Sequence, residues 1–274
     1  MNHRLYKFSI LGALVLLALL LGACIQEEPP TPESPAEALA PLALAGTAWQ
    51  YEYLGEKSDD IPVIEGTRPT LAIFLTRYAG NGGCNYYLGA YDTDGSAITF
   101  WTPAQTSVIC DEPEGIMEQE GTFISGLLNT IEYGLEDGNL VLYSTDRQRL
   151  VTLSPMGPVP FEGTTWSLRF TWDGGQWLPL AQGSTITLQF ENGNFSGSAG
   201  CNDYNGAYTA DGGALTMPDV VAMTTKNCAE PEGLMEQEQN YISLLTSAIA
   251  YEKAGGTLML LDENGEAILV FAAE

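Results

Sequence analysis

The chain has a single histidine, His3, and it lies in the first few residues. Past that point no Ser-His-Asp or Cys-His arrangement can be assembled, and a zinc site with nitrogen ligands is excluded. Basic residues are also scarce: ten lysines and arginines stand against 35 aspartates and glutamates, for a formal charge of −25. Such a surface repels phosphate backbones, which excludes nucleic acid as a partner. No G-x-x-x-x-G-K-[ST] phosphate loop occurs, and no two cysteines sit as close as C-x-x-C. No catalytic constellation, metal site or cofactor motif is therefore expected.

The one long apolar run is residues 8–23, preceded by Arg4 and Lys7. A basic start followed by so short an apolar stretch reads as a signal peptide over residues 1–23, not as a spanning helix. The run ends in Leu21-Gly22-Ala23-Cys24, which looks like a bacterial lipobox. Cleavage before Cys24 and lipidation of that residue would give a stable membrane anchor, because two or three acyl chains hold where one does not. The remaining chain has eight basic and 35 acidic residues, a charge of −27. Its surface would repel anionic headgroups, leaving the anchor as the membrane contact. Residues 24–41 form a tether: positions 25–41 hold five prolines and four glutamates and no aromatic. In an extended polyproline form this stretch spans roughly 50 Å. Ile25 in place of aspartate after the anchor favours an outer membrane, if the host has one. The expected address is the cell envelope, outside the cytoplasm.

The rest of the chain repeats itself. Trp49 and Trp166 are 117 residues apart, as are Cys84 and Cys201, while Cys110 and Cys228 are 118 apart. Glu112–Glu120 matches Glu230–Glu238 at eight of nine positions. A period this long marks two globular domains rather than a solenoid. Their expected bounds are 42–155 and 163–274, joined by a stiff segment over 155–162 with three prolines, which should keep the domains close. Alternating apolar residues predict strands at Thr70–Thr76, Thr185–Phe190 and Leu258–Leu261, with glycine turns at Glu191–Asn194 and Asp211–Gly213. Asp92–Gly95 lacks the later glutamate of a calcium loop and reads as a hairpin turn. Helical periodicity runs over 113–130 and 231–247, with acids near each start. The fold class is α+β: two tandem β-rich domains, each a curved antiparallel sheet packed with one α-helix.

Four cysteines remain after Cys24, two per copy, and an exported chain meets an oxidising compartment. Three pairings are open. Duplication favours Cys84–Cys110 and Cys201–Cys228, each closing a loop that contributes roughly 3–4 kcal/mol.

Gly200-Cys201-Asn202-Asp203-Tyr204-Asn205-Gly206-Ala207-Tyr208, Thr224–Cys228 and Leu234–Glu238 together resemble the signature of the META domain, or HslJ-like, family. The resemblance covers essentially all of residues 163–274. The first copy keeps Gly83-Cys84-Asn85, Tyr87, Gly89 and Tyr91, but has Tyr86, Leu88 and Val108 where the second has Asp203, Asn205 and Lys226. If the second copy has a polar site there, the first has lost it. The resemblance implies a small β-rich fold with one helix, an exported or envelope address and links to stress tolerance. It implies no catalytic mechanism.

Candidate binding residues are Trp172, Trp177, Asp203, Lys226 and Glu238. Trp172 and Trp177 flank Asp173-Gly174-Gly175, a loop suited to exposed contact, whereas the repeated Trp49 and Trp166 belong to cores. Glu120 and Glu238 fall on or beside the buried faces of their helices, where a carboxylate needs a fixed partner or a shifted pKa. Three functions follow. The first is a non-enzymatic envelope module, expected to be a monomer, which binds an envelope protein or small ligand. The second is a hydrolase working through carboxylates near Glu238, which requires a pocket holding two acids. The third is a protease-inhibitor-like scaffold displaying residues 171–180.

Overall fold

The computed structural model describes residues 44–55, 61–218 and 221–274, so the leader, Cys24 and the tether lie outside the described residues. The first copy contains β1 (Thr47–Leu54), β2 (Ile61–Pro62), β3 (Thr70–Ile73), β4 (Arg77–Asn81), β5 (Tyr86–Asp94), β6 (Ala97–Phe100), β7 (Ala104–Gln105), α1 (Ile116–Leu128), β8 (Glu132–Glu136), β9 (Asn139–Tyr143) and β10 (Arg149–Pro155). The second contains β11 (Thr165–Trp172), β12 (Trp177–Pro179), β13 (Thr187–Glu191), β14 (Asn194–Ser198), β15 (Asp203–Ala207), β16 (Thr209–Asp211), β17 (Ala214–Thr216), β18 (Ala222–Met223), α2 (Leu234–Ser247), β19 (Ala250–Ala254), β20 (Thr257–Leu261) and β21 (Ala267–Ala273).

Both sheets are antiparallel meanders that curl until their ends meet. In the first copy the order β1-β3-β4-β5-β6-β8-β9-β10 closes where β10 pairs with β1, Trp49 opposite Pro155 and Leu54 opposite Val151. The second copy closes through β11 and β21, and its counterpart of β5 is broken at Tyr208 into β15 and β16. Closure removes the free edges that an open sheet would expose. The hairpins fall where glycine-bearing turns were expected. Asn192 and Gly193, at φ 51 and 75, link Glu191 to Asn194, and Gly95 links Asp94 to Ala97. Each helix begins later than its proline, because a left-handed glycine (Gly115 at φ 86, Gly233 at φ 83) holds the position before the first turn.

The inward side chains of each barrel make its core. Trp49, Tyr51, Leu71, Tyr87, Leu142 and Leu153 meet Phe123 of α1, whose ring lies 5.3 Å from Tyr51. In the second copy Trp166, Leu188, Phe195, Tyr204 and Phe271 meet Tyr241 of α2. Tyr241 is also a polar partner, its hydroxyl 2.5 Å from that of Tyr204.

A third apolar cluster lies between the copies. Ala48, Ala72, Phe74, Ala79 and Leu88 from the outer face of the first barrel pack on Phe170, Ala254, Met259, Leu261, Ala267 and Val270 of the second. Arg77 pairs with Glu266 at 3.0 Å, and the Leu75 amide donates to Glu252 at 3.3 Å. The Arg169 guanidinium lies 4.1 Å over the Tyr86 ring. The two barrels therefore share a buried seam, as the short proline-rich connection led one to expect. The seam is head-to-tail, because different faces of the repeated fold meet, and such a contact could propagate to further molecules. The free faces are unsuited to that. Where the first copy has Ala48, Ala72, Phe74, Ala79 and Leu88, the second has Thr165, Gln189, Glu191, Ser196 and Asn205. Where the second has Ala254, Leu261 and Ala267, the first has Glu136, Tyr143 and Arg149, with Glu136 accepting from both Tyr143 and Arg149.

This seam also revises the reading of Tyr86 and Leu88. Their departure from the second copy's Asp203 and Asn205 is not only the loss of a polar motif. Leu88 is 1 % exposed within the inter-copy cluster, and Tyr86 packs beneath Arg169.

Candidate functional site

The repeated motif Met-Glu-Gln-Glu at the start of each helix meets the loop after each first disulfide cysteine. Both disulfides pair within a copy, Cys84–Cys110 and Cys201–Cys228, with Cα atoms 6.0 and 5.9 Å apart. Glu238, 4 % exposed, accepts from the Asn202 backbone amide at 2.7 Å and from its side-chain amide at 2.8 Å. The Asn202 oxygen in turn accepts from Thr224 Oγ1 and the Lys226 amide, both at 2.7 Å. The first copy repeats the arrangement. Glu120 accepts from the Cys84 and Asn85 amides at 3.1 and 2.6 Å and from the Asn85 side chain at 2.8 Å. Asn85 accepts from Thr106 Oγ1 and the Val108 amide at 2.8 and 2.7 Å.

A buried carboxylate is costly unless its oxygens are satisfied, and these are. Glu238 thus ties the helix to the disulfide loop. It is buried beneath that loop with both oxygens engaged in hydrogen bonds, which leaves the hydrolase reading no open carboxylate at this position. Lys226 takes part through its backbone, which is why Val108 can replace it in the first copy without breaking the network. Its ammonium reaches Asp203 at 3.3 Å, in an exposed pair. A pair this open to solvent contributes little.

Adjacent glutamines perform a second tie that the sequence reading missed. Gln119 accepts from the Ile64 amide at 2.6 Å and donates to Thr67 at 3.0 Å, while Gln237 accepts from the Ala181 amide at 2.6 Å and donates to Ser184 at 2.9 Å. The near-identity of the two helix-start motifs was the available signal for both ties.

Residues 171–180 are not a free loop. β11 and β12 form a hairpin with Thr171 opposite Leu178 and Trp172 opposite Trp177. A sheet-paired segment does not offer the extended display that an inhibitor loop needs, so that reading loses its ground. Asp173 Oδ1 closes the turn, accepting from the Gly175 and Gln176 amides at 2.9 and 2.7 Å. Trp177 is half-buried against the seam, under the Arg77 guanidinium at 5.6 Å. Trp172 leans on it at 5.3 Å between ring centres. Trp177 is therefore a support, and Trp172, itself half-buried against the core of the second copy, is the one of the pair that lines a groove.

The groove, of about 660 Å³, is open and lies between the hairpin tip, α2 and the β20–β21 turn. Trp172, Leu244, Ile249 and Ile268 supply its apolar wall, and Asp173, Asp262 and Glu263 its charged one. Backbone hydrogen bonds from Gln176 and Gly175 hold the Asp173 carboxyl below its ordinary range. Burial raises that of Asp262, but the Glu266 amide and the Asn264 side chain and amide outweigh it and lower the group. Among the described residues no cluster of acids, cysteines or histidines is arranged to hold a metal ion.

The META domain model matches residues 42–156 and 159–274. No curated protein is significantly similar. Among solved structures, one from Burkholderia xenovorans is 22 % identical over 47 % of this chain and 97 % of its own, with a TM-score of 0.36. A DUF4847 family protein from Bacteroides vulgatus is 20 % identical over 41 % of this chain and 93 % of its own, with a TM-score of 0.29.

Proposed function

The chain belongs to the META domain family, which it carries in two tandem copies, and from that premise we propose that it serves as a non-enzymatic binding module outside the cytoplasm, held to a membrane by lipid on Cys24. The observation that carries the reading is the use made of Glu120 and Glu238. The carboxylates best placed by sequence for acid–base work are both consumed by structural hydrogen bonds. Two of the acids that face a groove, Asp173 and Asp262, are poorly suited to protonating a leaving group. A general acid needs a raised pKa, and those of Asp173 and Asp262 are lowered.

The leader sequence supports the address. The two disulfides suit an oxidising compartment, and among the described residues no helix is long and apolar enough to cross a membrane. Lipid on Cys24 is the attachment that the sequence offers. A rigid pair of barrels on a proline-rich tether can present one groove to envelope components at a distance from the bilayer.

Affinity capture from the protein's own envelope extract tests this reading. A partner or ligand held by the intact protein and lost with Trp172→Ala is the expected result. Recovery of the same material on an unrelated acidic lipoprotein would overturn it.

A further inference from the structure

We propose that the groove of the second copy binds a small organic cation carrying an apolar body. The proposal rests on the binding-module reading and narrows it to one chemistry. Among the described residues no lysine or arginine lines the groove, while Asp173, Asp262 and Glu263 stand on its two turns and pair with none of the described cations. Their negative charge is uncompensated and local, so the complementary occupant is positive. The same three carboxylates do not converge as metal ligands do. They are spread over two separate turns, Trp172–Trp177 and Asp262–Glu266, which suits an extended cation better than a point charge.

The apolar wall supplies the rest. Trp172 can take a cation over its ring and an alkyl or aryl body along its edge. Ile249 is 50 % exposed and Leu244 is half-buried, so apolar surface is left open beside the acids. The volume falls within the range of small-molecule sites. The groove is also held in shape: Arg77 of the first copy pins Trp177, which backs Trp172. A preorganised wall loses less entropy when a ligand binds.

The comparison between copies points the same way. The Glu–Asn and Gln ties are present in both. Four groove residues are not: the first copy has Gly55, Gly126, Ser144 and Thr145 where the second has Trp172, Leu244, Asp262 and Glu263, although Ile131 and Leu150 match Ile249 and Ile268 and Glu56 stands at the place of Asp173. Neither the aromatic nor the acids at these positions are needed to make the fold.

Three probes of one shape separate the contributions: 4-phenylbutylamine, 4-phenylbutan-1-ol and 4-phenylbutyrate, titrated into the full-length protein by calorimetry and tryptophan fluorescence. The amine should bind about tenfold more tightly than the alcohol, and the butyrate more weakly than either. Raising the salt concentration should close the gap between amine and alcohol. The variant Asp173→Asn/Glu263→Gln keeps the turn-closing Oδ1 and should weaken the amine several-fold while leaving the alcohol unchanged. Equal binding of amine and alcohol, or no binding of the amine at millimolar concentration, would overturn the proposal. If the amine fails while envelope capture still depends on Trp172, this chemistry is wrong and the binding-module reading stands. If both fail, both fall.

Discussion

Glu238 on α2 and Asn202 beside Cys201 are joined by two hydrogen bonds, one to the backbone amide and one to the side chain. Glu120 and Asn85 repeat the pair in the first copy. Removing the carboxylate strands two buried donors and frees the helix from the disulfide loop. Glu238→Ala should therefore cost about 3 kcal/mol, in the range for losing charged buried hydrogen bonds. Glu236→Ala, on the exposed side of the same turn, should cost less than about 0.5 kcal/mol. Urea unfolding measures both, and equal midpoints for the two variants would show that the tie is dispensable.

The seam between the barrels makes a different prediction. Leu88 occupies the position that the second copy fills with exposed Asn205. Leu88→Asn gives the first copy its sibling's residue and leaves its own interior untouched. It should weaken the seam by about 2 kcal/mol. The native protein should melt in one calorimetric transition and the variant in two, one for each barrel. A single, uniformly shifted transition in the variant would mean that the barrels do not depend on this contact for their cooperativity.

Much of this arrangement was legible in the sequence because it is local. Asn192-Gly193 supplies two left-handed residues and so makes a hairpin. Ile116, Phe123 and Leu127 recur at helical spacing and are the residues that α1 buries. Equivalent cysteines in duplicated domains pair alike. The rest depended on contacts distant in the chain. Barrel closure sets Trp49 against Pro155, a pairing that no local pattern encodes. Glu238 read as a candidate site because periodicity marks burial but not the partner waiting there. Tyr86 and Leu88 read as a decayed motif because a seam between domains has no periodicity of its own. Trp172 and Trp177 looked equivalent in sequence, and Arg77, on the other copy, is what separates their roles.

The disulfides staple the loops that carry Asn85 and Asn202, and each closes 26 or 27 residues. Replacing Cys201 and Cys228 together by serine should lower stability by about 3 kcal/mol in the chain-entropy model. Because the two barrels share a seam, the loss should also appear as a lower melting temperature for the whole. Calorimetry of the variant under oxidising conditions reads this directly, and an unchanged melting temperature would show that the Glu238–Asn202 tie holds the loop alone.

Acid should weaken the two turns of the groove only below the ordinary aspartate range. The folded pKa values of Asp173 and Asp262 lie below those of the unfolded chain. The unfolded state then binds protons first, so the stabilisation from these groups is present above the ordinary aspartate pKa of about 3.9. It falls away as pH drops through the lower, folded values. Carboxylate chemical shifts followed by NMR should titrate below the ordinary range at both residues. Asp173→Asn keeps Oδ1 as an acceptor and should remove that residue's acid step without opening the hairpin. Ordinary aspartate midpoints at both positions would mean that the turn hydrogen bonds do not hold in solution.

The lipid-anchor reading can be tested apart from the fold, because Cys24 precedes both repeats in the sequence. Cys24→Ala in a bacterial host should leave both disulfides intact and move the protein from the membrane fraction to the soluble extracytoplasmic fraction. The charge of the remaining chain sharpens the outcome: eight basic residues against 35 acidic ones give the surface no electrostatic hold on anionic lipid. A protein attached only by lipid should also stay with the membrane in high salt and leave it in detergent. If the Cys24→Ala variant remained membrane-bound, or if salt released the native protein, attachment would have to come from a partner, and the lipid-anchor reading would fail.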